Sequence, residues 1–122
     1  MLRRHKLTGV SRLLAAFAAS VRGLAGAFRE EQAFRQEIAF ACVALPLGIW
    51  LGRSGVERAL LAAPVLLILI VELLNSAIEA TVDRIGLERH ALAGLAKDVG
   101  SAAVLLSFLL LGVVWVLVLT GR

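Results

Sequence analysis

Apolar residues occur in long blocks along this chain, and short polar stretches separate the blocks. Over residues 7–28 the apolar positions recur at spacings of three and four, the stripe of one amphipathic helix. Three more blocks, each mostly apolar, follow at 33–52, 57–83 and 98–120. The last block overlaps an uncharged run of 23 residues, Val99–Gly121, which is longer than the ~18 residues that a spanning helix needs. The pattern predicts an amphipathic helix and three transmembrane helices.

The first helix is predicted to lie in the membrane surface. Arg12, Arg22 and Arg29 fall outside its apolar stripe, where they can reach anionic headgroups. A packed helix of a soluble bundle has the same pattern. The apolar blocks that follow favour the position at the membrane.

Composition and charge agree with a single all-α integral membrane domain over residues 1–122. The chain is 60% hydrophobic and 18% charged, and in lipid each spanning segment must satisfy its own backbone hydrogen bonds. The net charge of +4 does not indicate nucleic acid, because the basic residues flank the apolar blocks. Ten of the thirteen Lys and Arg residues precede Ile38 or lie in 84–97. We therefore expect a multi-pass protein with a cytoplasmic N-terminus.

The second apolar block ends in a stripe of polar side chains. At ~100° per residue, five side chains fall within roughly 60° of one line on a helix: Glu72, Asn75, Ser76, Glu79 and Asp83. Carboxylates inside a membrane helix are expensive and usually functional. With the predicted orientation, Glu72 lies deep in the cytoplasmic leaflet and Asp83 lies at the water boundary. Such a site can meet a lipid headgroup at one end and a soluble reagent at the other.

The chain lacks a phosphate-binding Gly-rich loop and the paired Cys or His residues of a zinc site. The remaining candidates are carboxylates, an amide and a few cations. Such groups can bind a divalent metal and activate a hydroxyl, as phosphoryl transfer requires. Glu31 and Glu79 could hold the metal, buried Glu72 suits a general base, and Lys97 could neutralise phosphate charge. The same residues also suit a proton or ion pathway, or hydrogen bonds between helices.

The connections between the blocks are predicted to be polar. Residues 29–37 form a hinge in which Glu31 and Arg35, four positions apart, could pair. Residues 84–97 form a loop. The third spanning helix then opens with small residues at 100–103, which allow close approach of another helix.

Three sequence blocks resemble the prokaryotic diacylglycerol kinase family of small membrane enzymes. They occur in the family's order and at its spacing: Glu31-x-Ala33-Phe34-Arg35-Gln36-Glu37, Glu72-x-x-Asn75-Ser76-Ala77-Ile78-Glu79-x-x-Val82-Asp83-Arg84-Ile85, and Ala96-Lys97-Asp98-x-Gly100-Ser101-Ala102-Ala103. The resemblance implies a homotrimer in the bacterial inner membrane that uses ATP and Mg²⁺ to phosphorylate diacylglycerol to phosphatidic acid. Each subunit would have three spans and a surface helix.

The resemblance also implies roles for individual residues. Glu72 would be the general base, and Glu31 and Glu79 would hold the metal. The nucleotide would contact these two glutamates together with Arg12, Asn75, Glu88, His90, Lys97 and Asp98. The lipid substrate would contact Arg12, Glu37, Glu72 and Ser101.

Two alternatives stay open on the sequence. A close branch of the same family phosphorylates undecaprenol, and the shared block around Glu72 does not discriminate between the two lipids. A small oligomeric transporter or ion-pathway protein could use the same acids.

Overall fold

The computed structural model describes residues 8–122, and these form four α-helices: α1 (Val10–Glu30), α2 (Gln32–Leu51), α3 (Gly55–Ile85) and α4 (Ala91–Thr120). The all-helical prediction is therefore confirmed. By length and composition all four helices are apolar enough to cross a membrane, α1 included. The structure thus agrees with a membrane protein, and three spans with a surface helix stay a prediction.

The amphipathic helix is present but shifted relative to its predicted range of 7–28. It begins at Val10, and residue 7 lies outside the described residues. Gly9 precedes it with φ 61°, a left-handed conformation that favours glycine. None of the residues of α1 is buried, and its apolar stripe is exposed from Val10 to Phe28. An exposed apolar stripe of this length is what a helix on a membrane surface presents.

The helix α3 is central, and α2 and α4 pack on it. A small core forms where the three helices meet, from Ala41, Ala44 and Val65 with Leu45, Leu69, Leu111 and Trp115 around them. Gly48 of α2 packs on the fully buried Leu61 of α3, so closely that a Cβ on Gly48 would lie 3.1 Å from Leu61 Cβ. The remaining large apolar side chains are mostly exposed, as expected for a surface that meets lipid.

Arg122 contacts the connection between α2 and α3 and the residues on either side of it. Its guanidinium pairs with Glu57 at 2.9 Å and donates to the carbonyl of Leu51. Ser54 caps α3 by accepting from the Glu57 N–H. This end of the molecule is therefore held together by polar contacts at the opposite end of α3 from the carboxylate stripe.

The prediction of a polar loop over residues 84–97 is wrong for the second half of that range. The helix α4 already begins at Ala91, so only residues 86–90 connect it to α3. His90 caps α4, its Nδ1 accepting from the Leu92 N–H at 3.1 Å. The stretch after the cap is rich in Ala and Leu, which favour helix. Lys97 therefore lies on a rigid helix.

A hydrogen bond between helices gives a test of the packing. The indole Nε1 of Trp115 in α4 donates to the carbonyl of Leu61 in α3 at 2.9 Å. We expect Trp115→Phe to lower the free energy of unfolding by about 1 kcal/mol, because it removes this bond and keeps most of the ring. Circular dichroism during denaturant titration of the full chain in micelles measures the change. Trp50→Phe is the control, since Trp50 is 78% exposed; equal effects of the two replacements would contradict the prediction.

Candidate active site

The polar stripe of α3 descends from the interior to the surface. Glu72 and Asn75 are buried, with 5% and 8% of their surface exposed, Glu79 is half-buried, and Asp83 is exposed. Burial within the protein thus decreases along the stripe, whereas the depth of its two ends in a membrane stays a prediction. A group bound along the stripe can therefore have one part in the apolar interior and another part in water.

A second buried carboxyl group meets Glu72 at the deep end. Glu37 of α2 is 8% exposed, and its carboxyl lies within hydrogen-bonding range of Glu72. Its Oε2 is buried with no donor beside it among the described residues. Two carboxyl groups in contact cannot readily both ionise. The buried end of the stripe therefore has a carboxyl group from each of two helices, α2 and α3.

Asn75 connects the stripe to α4. Its Nδ2 donates to Glu79 Oε1 at 3.3 Å, and its Oδ1 is buried without a donor among the described residues. That oxygen lies against Gly100, where an added Cβ would overlap it. Gly100 thus lets α4 approach α3 at this point. The predicted role of the small residues 100–103 holds for Gly100, which is buried, whereas positions 101–103 are exposed.

Glu31 is the only residue between α1 and α2. It lies near enough to the stripe for its charge to act on Glu72, as does the charge of Glu79. Glu31 also lines a cavity of about 670 Å³ between α1 and α3. The other lining residues are Ser20, Gly23, Leu24, Gly26, Ala27, Glu30, Leu73, Ser76 and Ala77. This cavity extends from α1 to the side of α3 that carries Ser76 of the stripe.

The predicted pair between Glu31 and Arg35 is wrong. Arg35 Nη1 instead donates to the carbonyls of Phe28 at 2.8 Å and Arg29 at 3.0 Å. Side chains four residues apart face each other only within one helix. Glu31 has extended φ and ψ of −114° and 108°, so it does not present its side chain as a helical residue would.

The shallow end holds three of the eight predicted nucleotide residues. Lys97 Nζ pairs with Asp83 Oδ1 at 2.7 Å, joining α4 to α3. A cavity of about 470 Å³ lies beside this pair and is lined by polar residues that include Asp83, Glu88, Arg89, His90 and Lys97. The structure therefore brings Glu88, His90 and Lys97 together. Sequence reasoning placed Asp83 on the stripe but missed its contact with Lys97, which spans 14 residues.

Three predicted site residues are not gathered at these cavities. Arg12, Asp98 and Ser101 are exposed, and none of them lines either cavity. Arg12 lies near the start of α1, and Asp98 and Ser101 lie on α4. Their predicted contacts with nucleotide or lipid stay predictions.

Comparison with known proteins places these features in a family context. A family model described as "Prokaryotic diacylglycerol kinase" matches residues 18–119. A protein named diacylglycerol kinase from Pseudomonas aeruginosa is 51% identical over 114 residues, which is 93% of this chain and 93% of the relative. One of the same name from Haemophilus influenzae is 47% identical over 111 residues, covering 91% and 94%. The Escherichia coli K12 protein of that name is 46% identical over 115 residues, or 94% of each.

Proposed function

This chain belongs to the prokaryotic diacylglycerol kinase family, and from that premise we propose that it transfers the γ-phosphoryl group of ATP to the hydroxyl of diacylglycerol. The product is phosphatidic acid. The observation that carries the proposal is the carboxylate stripe of α3, buried at Glu72 and exposed at Asp83. A lipid hydroxyl and a water-soluble nucleotide can meet along such a stripe, which suits this substrate pair.

Glu72 is the general base in this proposal. It lies at the buried end, where the hydroxyl of a membrane lipid can reach it, and it takes the hydroxyl proton. The hydroxyl oxygen then bonds to the γ-phosphorus while the bond from that phosphorus to the β–γ bridging oxygen breaks, and ADP leaves. Glu37, which lies next to Glu72, would then be beside the lipid hydroxyl and would contact the substrate.

Glu31 and Glu79 would hold Mg²⁺. Among residues 8–122 no group of three or more His, Cys, Asp or Glu side chains could hold a metal alone. Two carboxylates nevertheless fit Mg²⁺, which usually takes one or two protein carboxylates together with substrate phosphates. When bound, the metal neutralises charge on the phosphates. Glu88, His90 and Lys97 would contact the nucleotide in the shallow cavity, and Arg12, Asp98 and Ser101 would complete the substrate contacts.

The proposal includes a membrane arrangement. We place α2, α3 and α4 across the bacterial inner membrane and α1 on its cytoplasmic face, with the N-terminus in the cytoplasm. The excess of Lys and Arg residues near the stripe end supports this orientation. We also propose that the protein is a homotrimer, as the resemblance of its three sequence blocks implies.

Mixed micelles that contain the full chain, radiolabelled ATP, Mg²⁺ and diacylglycerol test the proposal. Labelled phosphatidic acid is the expected product. Label on undecaprenol but not on diacylglycerol would reassign the acceptor lipid within the family. No lipid label at all, with ion flux in vesicles that carry the protein, would replace the kinase by a transporter.

Asn75 gives a test of the metal assignment. We expect Asn75→Ala to raise the Mg²⁺ concentration for half-maximal activity about ten-fold, because the amide that orients a metal-binding carboxylate is lost. Mg²⁺ titration of the kinase reaction measures it. Thr81→Ala on the same helix is the control, since Thr81 is exposed and bonds only within α3, to Ala77. Equal Mg²⁺ dependence of the two variants would contradict the role of Asn75.

A further inference from the structure

The connection between α1 and α2 is unusually short, because the two helices are separated by the single residue Glu31. Connections between packed helices commonly take about 2–8 residues. The Glu31 N–H donates to Ala27 O at 2.9 Å, and its carbonyl accepts from the Arg35 N–H at 3.2 Å. Both sides of the Glu31 backbone are thus held. Any change in its φ or ψ must turn the whole of α1 relative to α2.

Arg35 of α2 caps the C-terminal end of α1. A helix ends with carbonyls that have no partner in the helix itself, and at the end of α1 those of Phe28 and Arg29 accept from Arg35 Nη1. A cation at a helix C-terminus also interacts favourably with the helix dipole. The cap comes from the following helix, so it fixes the angle at which α1 meets α2.

Because the Arg35 guanidinium binds the carbonyls of α1, it does not form an ion pair with the Glu31 carboxylate. The ion pairs of the described residues are Lys97–Asp83 and Arg122–Glu57, so the Glu31 carboxylate is in none of them. Glu31 is half-buried and faces the cavity beside Ser76 and Ala77 of α3. Had Arg35 paired with Glu31 as the spacing suggested, it would have competed with a metal for that carboxylate.

We propose that Arg35 is a positioning residue for the metal: by capping α1 it sets the Glu31 carboxylate against the α3 stripe. The proposal rests on the proposed function, in which Glu31 and Glu79 hold Mg²⁺. In this proposal Arg35 acts on the metal through Glu31, because its own guanidinium binds the carbonyls of Phe28 and Arg29. Without this cap the angle between α1 and α2 is no longer fixed. The distance between the Glu31 and Glu79 carboxylates is then no longer fixed either.

The test compares Arg35→Ala, Arg35→Lys and Arg22→Ala in the full chain in micelles. We expect Arg35→Ala to raise the half-saturating Mg²⁺ concentration about ten-fold, as the loss of one charge-assisted hydrogen bond would. The KM for diacylglycerol should stay near that of the wild type. Lys, which keeps the cation but not the guanidinium, should recover part of the loss. Arg22→Ala removes the same charge from an exposed position of α1 and should behave as wild type.

Metal binding provides a readout that does not depend on turnover. Electron paramagnetic resonance counts free Mn²⁺ in the presence of a non-hydrolysable ATP analogue, and Arg35→Ala should weaken Mn²⁺ binding to a similar degree. Glu31→Gln should weaken it as well. If the Ala variant does not fold, Arg35→Gln replaces it, and a Lys variant that binds Mn²⁺ no better than the Gln variant overturns the proposal.

The outcomes separate this inference from the proposed function. A wild-type protein that phosphorylates diacylglycerol, with an Arg35→Ala variant of unchanged Mg²⁺ and Mn²⁺ dependence, overturns the positioning role alone. An equal rise in the KM for diacylglycerol overturns it too, because the effect would then be general. Unchanged Mn²⁺ binding in Glu31→Gln removes Glu31 from the metal site, and the role of Arg35 with it.

Discussion

Glu72→Gln is expected to lower kcat by about 10³-fold or more, since general-base catalysis alone contributes about 10²–10⁴-fold. The amide has nearly the shape of the carboxyl but cannot take the proton of the lipid hydroxyl. Glu72 is 5% exposed, so water cannot easily serve as a substitute base. Nucleotide binding should be largely kept, because Glu88, His90 and Lys97, which are proposed to contact the nucleotide, line the cavity at the exposed end of the stripe.

The rate of phosphatidic acid formation at saturating substrates measures the fall in kcat. Binding of a fluorescent ATP analogue measures whether the affinity for nucleotide is retained. Glu57→Gln is the control, because it makes the same replacement on α3 at the opposite end, beside Arg122. If Glu72→Gln retained more than about a tenth of the wild-type rate, well above what loss of a general base allows, the assignment of the base would be wrong.

Gly100→Ala is expected to lower activity about a hundred-fold, the scale on which a misplacement of ~1 Å acts. The added methyl group would overlap Asn75 Oδ1, so either Asn75 turns away from Glu79 or α4 moves away from α3. Overpacking of this kind also lowers the free energy of unfolding by about 1–3 kcal/mol. Gly112→Ala is the control on the same helix, because a Cβ there meets nothing within 4 Å.

A double replacement distinguishes a clash at Asn75 from a general effect on α4. In the Asn75→Ala background the oxygen that the methyl group would meet is absent, so Gly100→Ala should add only a small further loss. Activity and unfolding free energy of the two single variants and the double variant give the coupling between the residues. Losses that simply multiply would show that the contact with Asn75 is not the cause.

The helices and the stripe on α3 could be predicted from the sequence because both depend on local periodicity. The apolar spacing along α1 and the polar spacing from Glu72 to Asp83 follow directly from 3.6 residues per turn. Helix ends were less well predicted. The cap by His90 starts α4 at Ala91, inside a stretch whose charged residues suggested a loop, because a cap depends on the conformation of one residue.

The contacts between helices could not be predicted in the same way. Spacing paired Arg35 with Glu31, yet the helix breaks at Glu31 and the guanidinium binds the carbonyls of α1. The run of small residues at 100–103 indicated close packing without showing which of them faces Asn75. The ion pair between Lys97 and Asp83 joins residues of two helices, and local spacing holds no information about such a pair.

The sequence alone thus determined that this is a helical membrane protein with carboxylates graded along one helix face. Both properties follow from the repeat of a helix and from the low solubility of charge in lipid. Only the tertiary structure decided that Glu37 lies next to Glu72 and that Gly100 leaves room for the Asn75 side chain. It also decided that Arg35 caps α1 beside Glu31. Those contacts depend on how the helices are rotated and placed against one another, and packing between distant residues sets this.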